Sequence, residues 1–360
     1  MAVRRPVKEK QTLLPHDLVN PDTMSKVQTE PAAFLPPMGN PSAGSANPSA
    51  SLSALWGYIL PALNHIARAP TNTPEKAPAI DLAYHMGIHT ATYNYITTAP
   101  DLPVPAFPLG APASNKERQT DSTGMDLYLH LDKFFTDHAR ELLLGAPEDD
   151  TTLIQYLIPC FKRYAVGAHS INRLLNYVNR HYVKRAVDED KGWLTLGDML
   201  DTVARSIQEG RTREQIAQRL KEKRMDELKK WGYEVGGPPE MLAEAELCAE
   251  AASSLDRVVP LHALALRRFR TEFVEPLLAA PNMKGKRRRP GAPPANGSKN
   301  NLPKGRLARS VEELLGVQGG DSEQRRGLAT DLAAMLRVVG VQHIHPMRKK
   351  LDKFLAINRQ

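Results

Sequence analysis

Only two cysteines, Cys160 and Cys248, occur in 360 residues. That is too few for a disulfide-stapled secreted scaffold or a multi-cysteine zinc site, so a reducing compartment, cytoplasmic or nuclear, is expected. Eighteen apolar residues never follow one another, and Arg4, Arg5, Lys8 and Lys10 precede no apolar run of signal-peptide length; neither a membrane span nor secretion is expected. Aromatic residues are scarce at 6%, which spreads the core over aliphatic side chains. Gly-rich phosphate loops, nucleophile elbows and paired carboxylates do not stand out, so neither catalysis nor a cofactor is expected. His85 and His89 stand four apart, but Met86, Gly87 and Ile88 between them lack the glutamate of a zinc-protease helix. His343 and His345 are read the same way, and no metal site is assigned.

Proline, by contrast, is abundant at 29 residues, and the formal charge is +8. Both are unevenly placed. Residues 1 to 50 are rich in Pro, Ser, Gly, Asn and Ala and cannot bury enough apolar area to offset ordering entropy. Much of the positive excess falls on Lys284, Lys286, Arg287, Arg288 and Arg289, inside a Pro/Gly/Asn-rich tract over 281–305. That tract reads as a linker or a nuclear-localisation signal; a folded nucleic-acid reader would spread its cations over a packed face, and nucleic acid is not the expected partner.

Between these stretches the apolar period is helical. Leu55, Ile59, Leu63 and Ile66 mark one face of a first helix, with Pro61 inside it. A second begins near Asp81, an N-terminal capping residue, and carries Tyr84, Ile88, Ala91 and Tyr95 on one stripe. A third spans about Asp126 to Leu144, its apolar side made by Leu127, Leu131, Phe134, Phe135, His138 and Leu142. A fourth covers roughly Thr152 to Tyr164, disturbed by Pro159 and separated by Gly167 from a fifth, whose stripe is Ile171, Leu174, Leu175, Val178 and Tyr182. Residues 191–257 add helical pieces from Met199 to Ile207, Arg213 to Trp231 and Glu240 to Ala252, bracketed by Trp193 and Trp231. Leu261 to Leu278 is another amphipathic helix, and helix returns from Arg309 to Leu355. Alternating runs that would compete with this period are missing, so the fold class is all-α.

Several segments, in order, resemble the first repeat of cullins, especially those of the Skp-type, F-box-linked class. Tyr177-Val178-Asn179-Arg180-His181-Tyr182-Val183-Lys184-Arg185, followed by Asp188 and Glu189, is similar to the family's aromatic-Leu-Asn-Arg-His-Trp-Val-Arg-Arg run. Tyr93-Asn94-Tyr95-Ile96-Thr97 resembles its Tyr-Asn-Tyr-Cys-Thr ending of the second helix. Trp56, Leu127-Tyr128 with Phe134, and Ala263-Leu264-Ala265-Leu266 with Phe273 and Pro276-Leu277 match further helices, the last displaced by an insertion.

The resemblance implies a first helical repeat over 51–280 with the insertion at about 191–257, and the start of a second repeat over 306–360. It also implies a non-catalytic scaffold for ubiquitin-dependent degradation. Its partner would be a Skp-type adaptor with an F-box protein, held by exposed residues of the second and fifth helices: His85, Met86, His89, Tyr93, Asn179 and Tyr182. The matching stops before the family's RING-box-binding region, so a RING-box partner is not expected of these residues alone. Where the family usually has aromatics this chain has His85 and His89, a smaller anchor area. The rival reading is an all-helical nuclear or nucleic-acid-binding protein gripping through the basic tract.

Overall fold

The computed structural model describes residues 37–41, 47–70, 75–97, 115–204, 213–280, 304–316 and 322–357, all within one unit, Leu35–Gln360. Most of the Pro-rich stretch 1–50 and the basic tract from Lys284 to Arg289 lie outside these residues.

The chain is all-α. Helix α1 runs Leu52–Arg68 and buries Leu55, Ile59, Leu63 and Ile66. Ser51 caps it, its hydroxyl accepting from the Ala54 amide at 3.1 Å, as a short polar side chain does for an orphan first-turn donor. Helix α2, Leu82–Thr97, buries Tyr84, Ile88, Ala91 and Tyr95, with the Asp81 carboxylate accepting from the Ala83 amide. Helix α3 covers Asn115–Leu144, eleven residues longer at its N-terminus than its apolar stripe indicates, because residues 115–125 carry few apolar side chains to mark a face.

Helix α4, Asp150–Leu174, corrects one boundary: it passes straight through both Pro159 and Gly167. Pro159 leaves the Gln155 carbonyl without its helical donor, but both residues are solvent-exposed, so water can serve that carbonyl. Pro61 frees the carbonyl of exposed Gly57 in α1 in the same manner. Gly167 is there for packing rather than for a turn. A β-carbon at this position would stand 3.4 Å from the Ile66 carbonyl oxygen and 3.5 Å from the Ala67 Cα, so α1 and α4 approach backbone to backbone. One turn away the Arg163 guanidinium donates to the Ile66 and Ala69 carbonyls, satisfying the last turn of α1.

The break comes at Leu175, after which Val178–Val183 winds as a π-helix and runs into α5, Lys184–Asp188. Residues 191–257 contain α6 Leu196–Ala204, α7 Arg213–Lys229 and α8 Pro239–Ala252. Helices α7 and α8 close a small core of Leu228, Trp231, Ala245, Cys248 and Ala249, and Trp193 packs between it and the main core. The segment from Leu261 to Leu278 is one helical run in three parts: α9 Leu261–Phe269, a π turn Arg270–Val274, and α10 Glu275–Leu278. It is the spine of the molecule, packed on α3, α4 and α8. Arg268 forks onto Asp132 of α3. Arg267, 1% exposed, donates to the Ser254 and Arg257 carbonyls and so anchors the segment between α8 and α9. Helices α11 Arg306–Gly316, α12 Ser322–Val338 and α13 Pro346–Ile357 add Leu307, Val311, Leu332, Leu336 and Leu351 to the same core.

Two predictions arise here. Gly340, at φ +88°, faces the α8 backbone, and an added β-carbon would sit 2.5 Å from the Ala252 nitrogen. Gly340→Ala combines left-handed strain with a clash against backbone that cannot rotate away. It should cost at least about 2 kcal/mol in urea unfolding.

The second concerns pH. Burial, aided by the Glu246 charge, pushes the Glu250 carboxyl up to about 8, while burial drives His138 and His262 down to about 4. An unfolded carboxyl releases its proton near 4.3, so between there and pH 8 the folded chain holds a proton that the unfolded chain has lost. The histidines act the other way and only below about 6.5, where the unfolded rings protonate first. From pH 6.5 to 8, therefore, Glu250 makes stability fall as pH rises. Unfolding free energies measured across that window should decline in the wild type, and Glu250→Gln should flatten the decline.

Candidate functional site

Helix α2 lies over α1 and meets the π segment along its outer edge. It settles low on α1 because Gly87 has no side chain: a β-carbon there would fall 2.3 Å from the Tyr58 hydroxyl. Tyr84 fixes the inner side, its hydroxyl donating to the Tyr58 carbonyl at 2.6 Å. Burial and the nearby Tyr58 raise its pKa to about 12, so it stays a donor.

With the stripe of Tyr84, Ile88, Ala91 and Tyr95 turned inward, the 100° step per residue sends Met86, His89 and Tyr93 outward. Met86 is 52% and Tyr93 42% exposed; His85 and His89 are half-buried. Tyr177 stands opposite, 4.5 Å between ring centroids from His89 and 5.0 Å from Tyr93. His181 stacks on the far side of Tyr177 at 5.4 Å with an interplanar angle of 23°. Four rings thus join α2 to the π segment at the surface, with Tyr177 as the hub.

The remaining sequence-predicted residues have inward duties. The Asn179 amide nitrogen donates to Asn172 Oδ1 at 2.8 Å, and its oxygen accepts from the Leu261 amide at 2.9 Å. Asn172 Oδ1 also accepts from the His262 amide. Helix α9 opens on Pro260, which has no side-chain acceptor of its own, so the two asparagines cap it, Asn172 from α4 and Asn179 from the π segment. Tyr182 is half-buried with its ring 5.2 Å from that of Tyr128, and Tyr128 bonds the Val259 amide and carbonyl through its hydroxyl. His85, Met86, His89 and Tyr93 therefore share the exposed face, whereas Asn179 ties the π segment to the start of the spine and Tyr182 packs it on Tyr128 of α3.

Tyr177 and His181 were not among the candidates from sequence. Their spacing of four was the available signal. A π turn closes its hydrogen bonds at i→i+5, so beyond Val178 the 100° step no longer tells which residues face outward; Tyr182 is named by the resemblance, while the helical step puts it on the apolar stripe.

This face carries rings, a thioether and imidazoles, and among the described residues no three His, Cys, Asp or Glu converge on a metal position. No described helix is long and apolar enough to cross a membrane.

The chain is similar to cell division control protein 53 of Saccharomyces cerevisiae, 24% identical over 150 residues, 40% of this chain and 17% of that protein. It is also similar to Cullin-1 of Dictyostelium discoideum, 35% identical over 69 residues, 19% of this chain and 9% of that protein. The relationship is cullin-like, and the chain spans less than a fifth of the length of either relative. No family model and no solved structure matches it.

Proposed function

We propose that this chain is a non-catalytic, cullin-like scaffold that docks a Skp-type adaptor with its F-box protein on the face made by α2 and the π segment. The observation that carries the reading is the surface ring cluster of His89, Tyr93, Tyr177 and His181, flanked by exposed Met86. Protein interfaces draw their affinity from a few rigid, rotamer-poor side chains inside a polar rim, and rings already packed on one another lose little further entropy on binding. The cluster is also built from the two segments that carry the cullin resemblance, the Tyr93 ending of α2 and the run from Tyr177 to Arg185. Asn179 and Tyr182 serve this face from behind by holding the π segment in place.

Co-purification tests the reading. The full chain, mixed with a Skp-type adaptor bound to an F-box protein, should retain it on size exclusion, and Tyr93→Ala should weaken the complex by about 2 kcal/mol, roughly thirtyfold. Retention should change little between low and moderate salt, because ring contacts are weakly screened. Affinity collapsing with ionic strength would instead indicate phosphate-type contacts through the basic tract, and failure to retain the adaptor at all would end the proposal.

A further inference from the structure

Far along the sequence from the α2 face, the end of α7 and its turn meet α12 and the start of α13 around a cleft of about 360 Å³. Its lining has one sign of charge: Lys229, Lys230, Arg337 and Arg348, with His343 and Trp231 beside them and no acidic residue. Like charges do not gather at a concave surface without cost, since the low-dielectric wall strengthens their repulsion. Two of the cations are held in place by backbone. Arg337 donates to the Trp231 carbonyl at 2.8 Å, a carbonyl presented by the turn at Gly232, φ +89°. Arg348, only 9% exposed, donates to the Val341 carbonyl at 3.2 Å, and its Nε has no acceptor among the described residues.

Acidic partners exist but stand outside the lining. Asp226 pairs with Lys229, Glu227 with Lys230, Glu244 with Arg337 at 3.4 Å, and Asp352 with Arg348 at 3.8 Å. The last two distances are those of loose ion pairs, so both guanidinium groups keep donors to spare. Burial foremost, and the neighbouring Arg337 charge, lower the Arg348 pKa against the pull of Asp352. The lysines are the more tightly paired, at 2.9 and 2.6 Å, so it is the two arginines, more loosely held, that have most to offer an anion.

We propose that this cleft binds a phosphate group, free or carried on a phosphorylated side chain. Two guanidinium forks and two ammonium groups on one concavity match a compact dianion with several acceptor oxygens better than a single carboxylate. A volume of about 360 Å³ is ample for one phosphate with its immediate substituent. The site uses none of the residues of the α2 face and stands independently of the adaptor reading.

The test uses the full chain at fixed ionic strength, titrated calorimetrically with inorganic phosphate and, separately, with a phosphoserine peptide and its unphosphorylated twin. Saturable binding of phosphate is expected. Tighter binding of the phosphopeptide than of free phosphate assigns a protein-borne group; equal or weaker binding assigns the free ion. Arg337→Gln should weaken binding about tenfold or more. Because Arg337 also supports the Trp231 turn, the exposed pair Lys229→Gln/Lys230→Gln serves as the variant that leaves packing alone, and it too should weaken binding severalfold. A variant neutralised at Arg287, Arg288 and Arg289 should bind as the wild type does. Absence of saturable binding, or a loss confined to the Arg287–Arg289 variant while the lysine variant binds normally, overturns the proposal.

Discussion

Phe269→Ala is expected to destabilise the chain by about 3–5 kcal/mol, the range for deleting a fully buried aromatic side chain. Phe269 is completely buried at the end of α9 and sits in a continuous set of rings. Phe273 stacks on it at 4.8 Å and 7°, Tyr164 lies at 5.0 Å and Phe161 at 5.3 Å, with His138 stacked in turn on Tyr164. Truncation would open a cavity between α4 and the spine that neighbouring helices cannot fill. Their backbones are fixed on either side, α4 against α1 at Gly167 and the spine against α3 by Arg268. Domains hold only about 5–15 kcal/mol in total, so the variant should melt roughly 6–20 °C lower. Urea unfolding followed by far-ultraviolet circular dichroism gives the number. A cost under about 1 kcal/mol would mean that the spine is not the element on which the other helices assemble.

Tyr177→Ala is expected to weaken adaptor binding by at least about 2 kcal/mol, thirtyfold or more in dissociation constant, with most of the change in the off-rate. Tyr177 touches three of the rings proposed to form the docking face, so its removal takes away both contact area and the support that holds His89 and Tyr93 in register. Tyr182→Phe is the contrast. It keeps the ring against Tyr128 behind the face and should leave the dissociation rate near that of the wild type. Surface-immobilised adaptor complex with wild-type and variant chains in flow separates the two. Equal off-rates for Tyr177→Ala and wild type would remove Tyr177 from the interface.

Much of the helical layout was legible because burial follows the 3.6-residue period. The stripe of Tyr84, Ile88, Ala91 and Tyr95 located the buried side of α2 and, by subtraction, its outward residues. Leu261 to Leu278 came out with the same ends in sequence and structure, since Pro260 fixes the start and the apolar spacing the rest. What failed did so where a distant segment decides the outcome. Gly167 reads as a break in isolation, and only the α1 backbone lying across it makes a glycine in mid-helix useful. Asn179 reads as an exposed polar residue until α9, eighty-two residues on, brings an uncapped amide to it. The cleft beside Trp231 draws on residues 229–232 and 337–348, and no local pattern announces that two basic stretches more than a hundred residues apart will face one another.

Hydrogen exchange on the full chain, with and without the adaptor and F-box protein, addresses the docking face most directly. Amides of 82–97 and 176–188 should slow on complex formation, while those of 229–232 and 337–348, which lie outside that face, should exchange at unchanged rates. Protection absent from both α2 and the π segment, or confined to other helices, would contradict the assignment of the ring cluster as the contact surface.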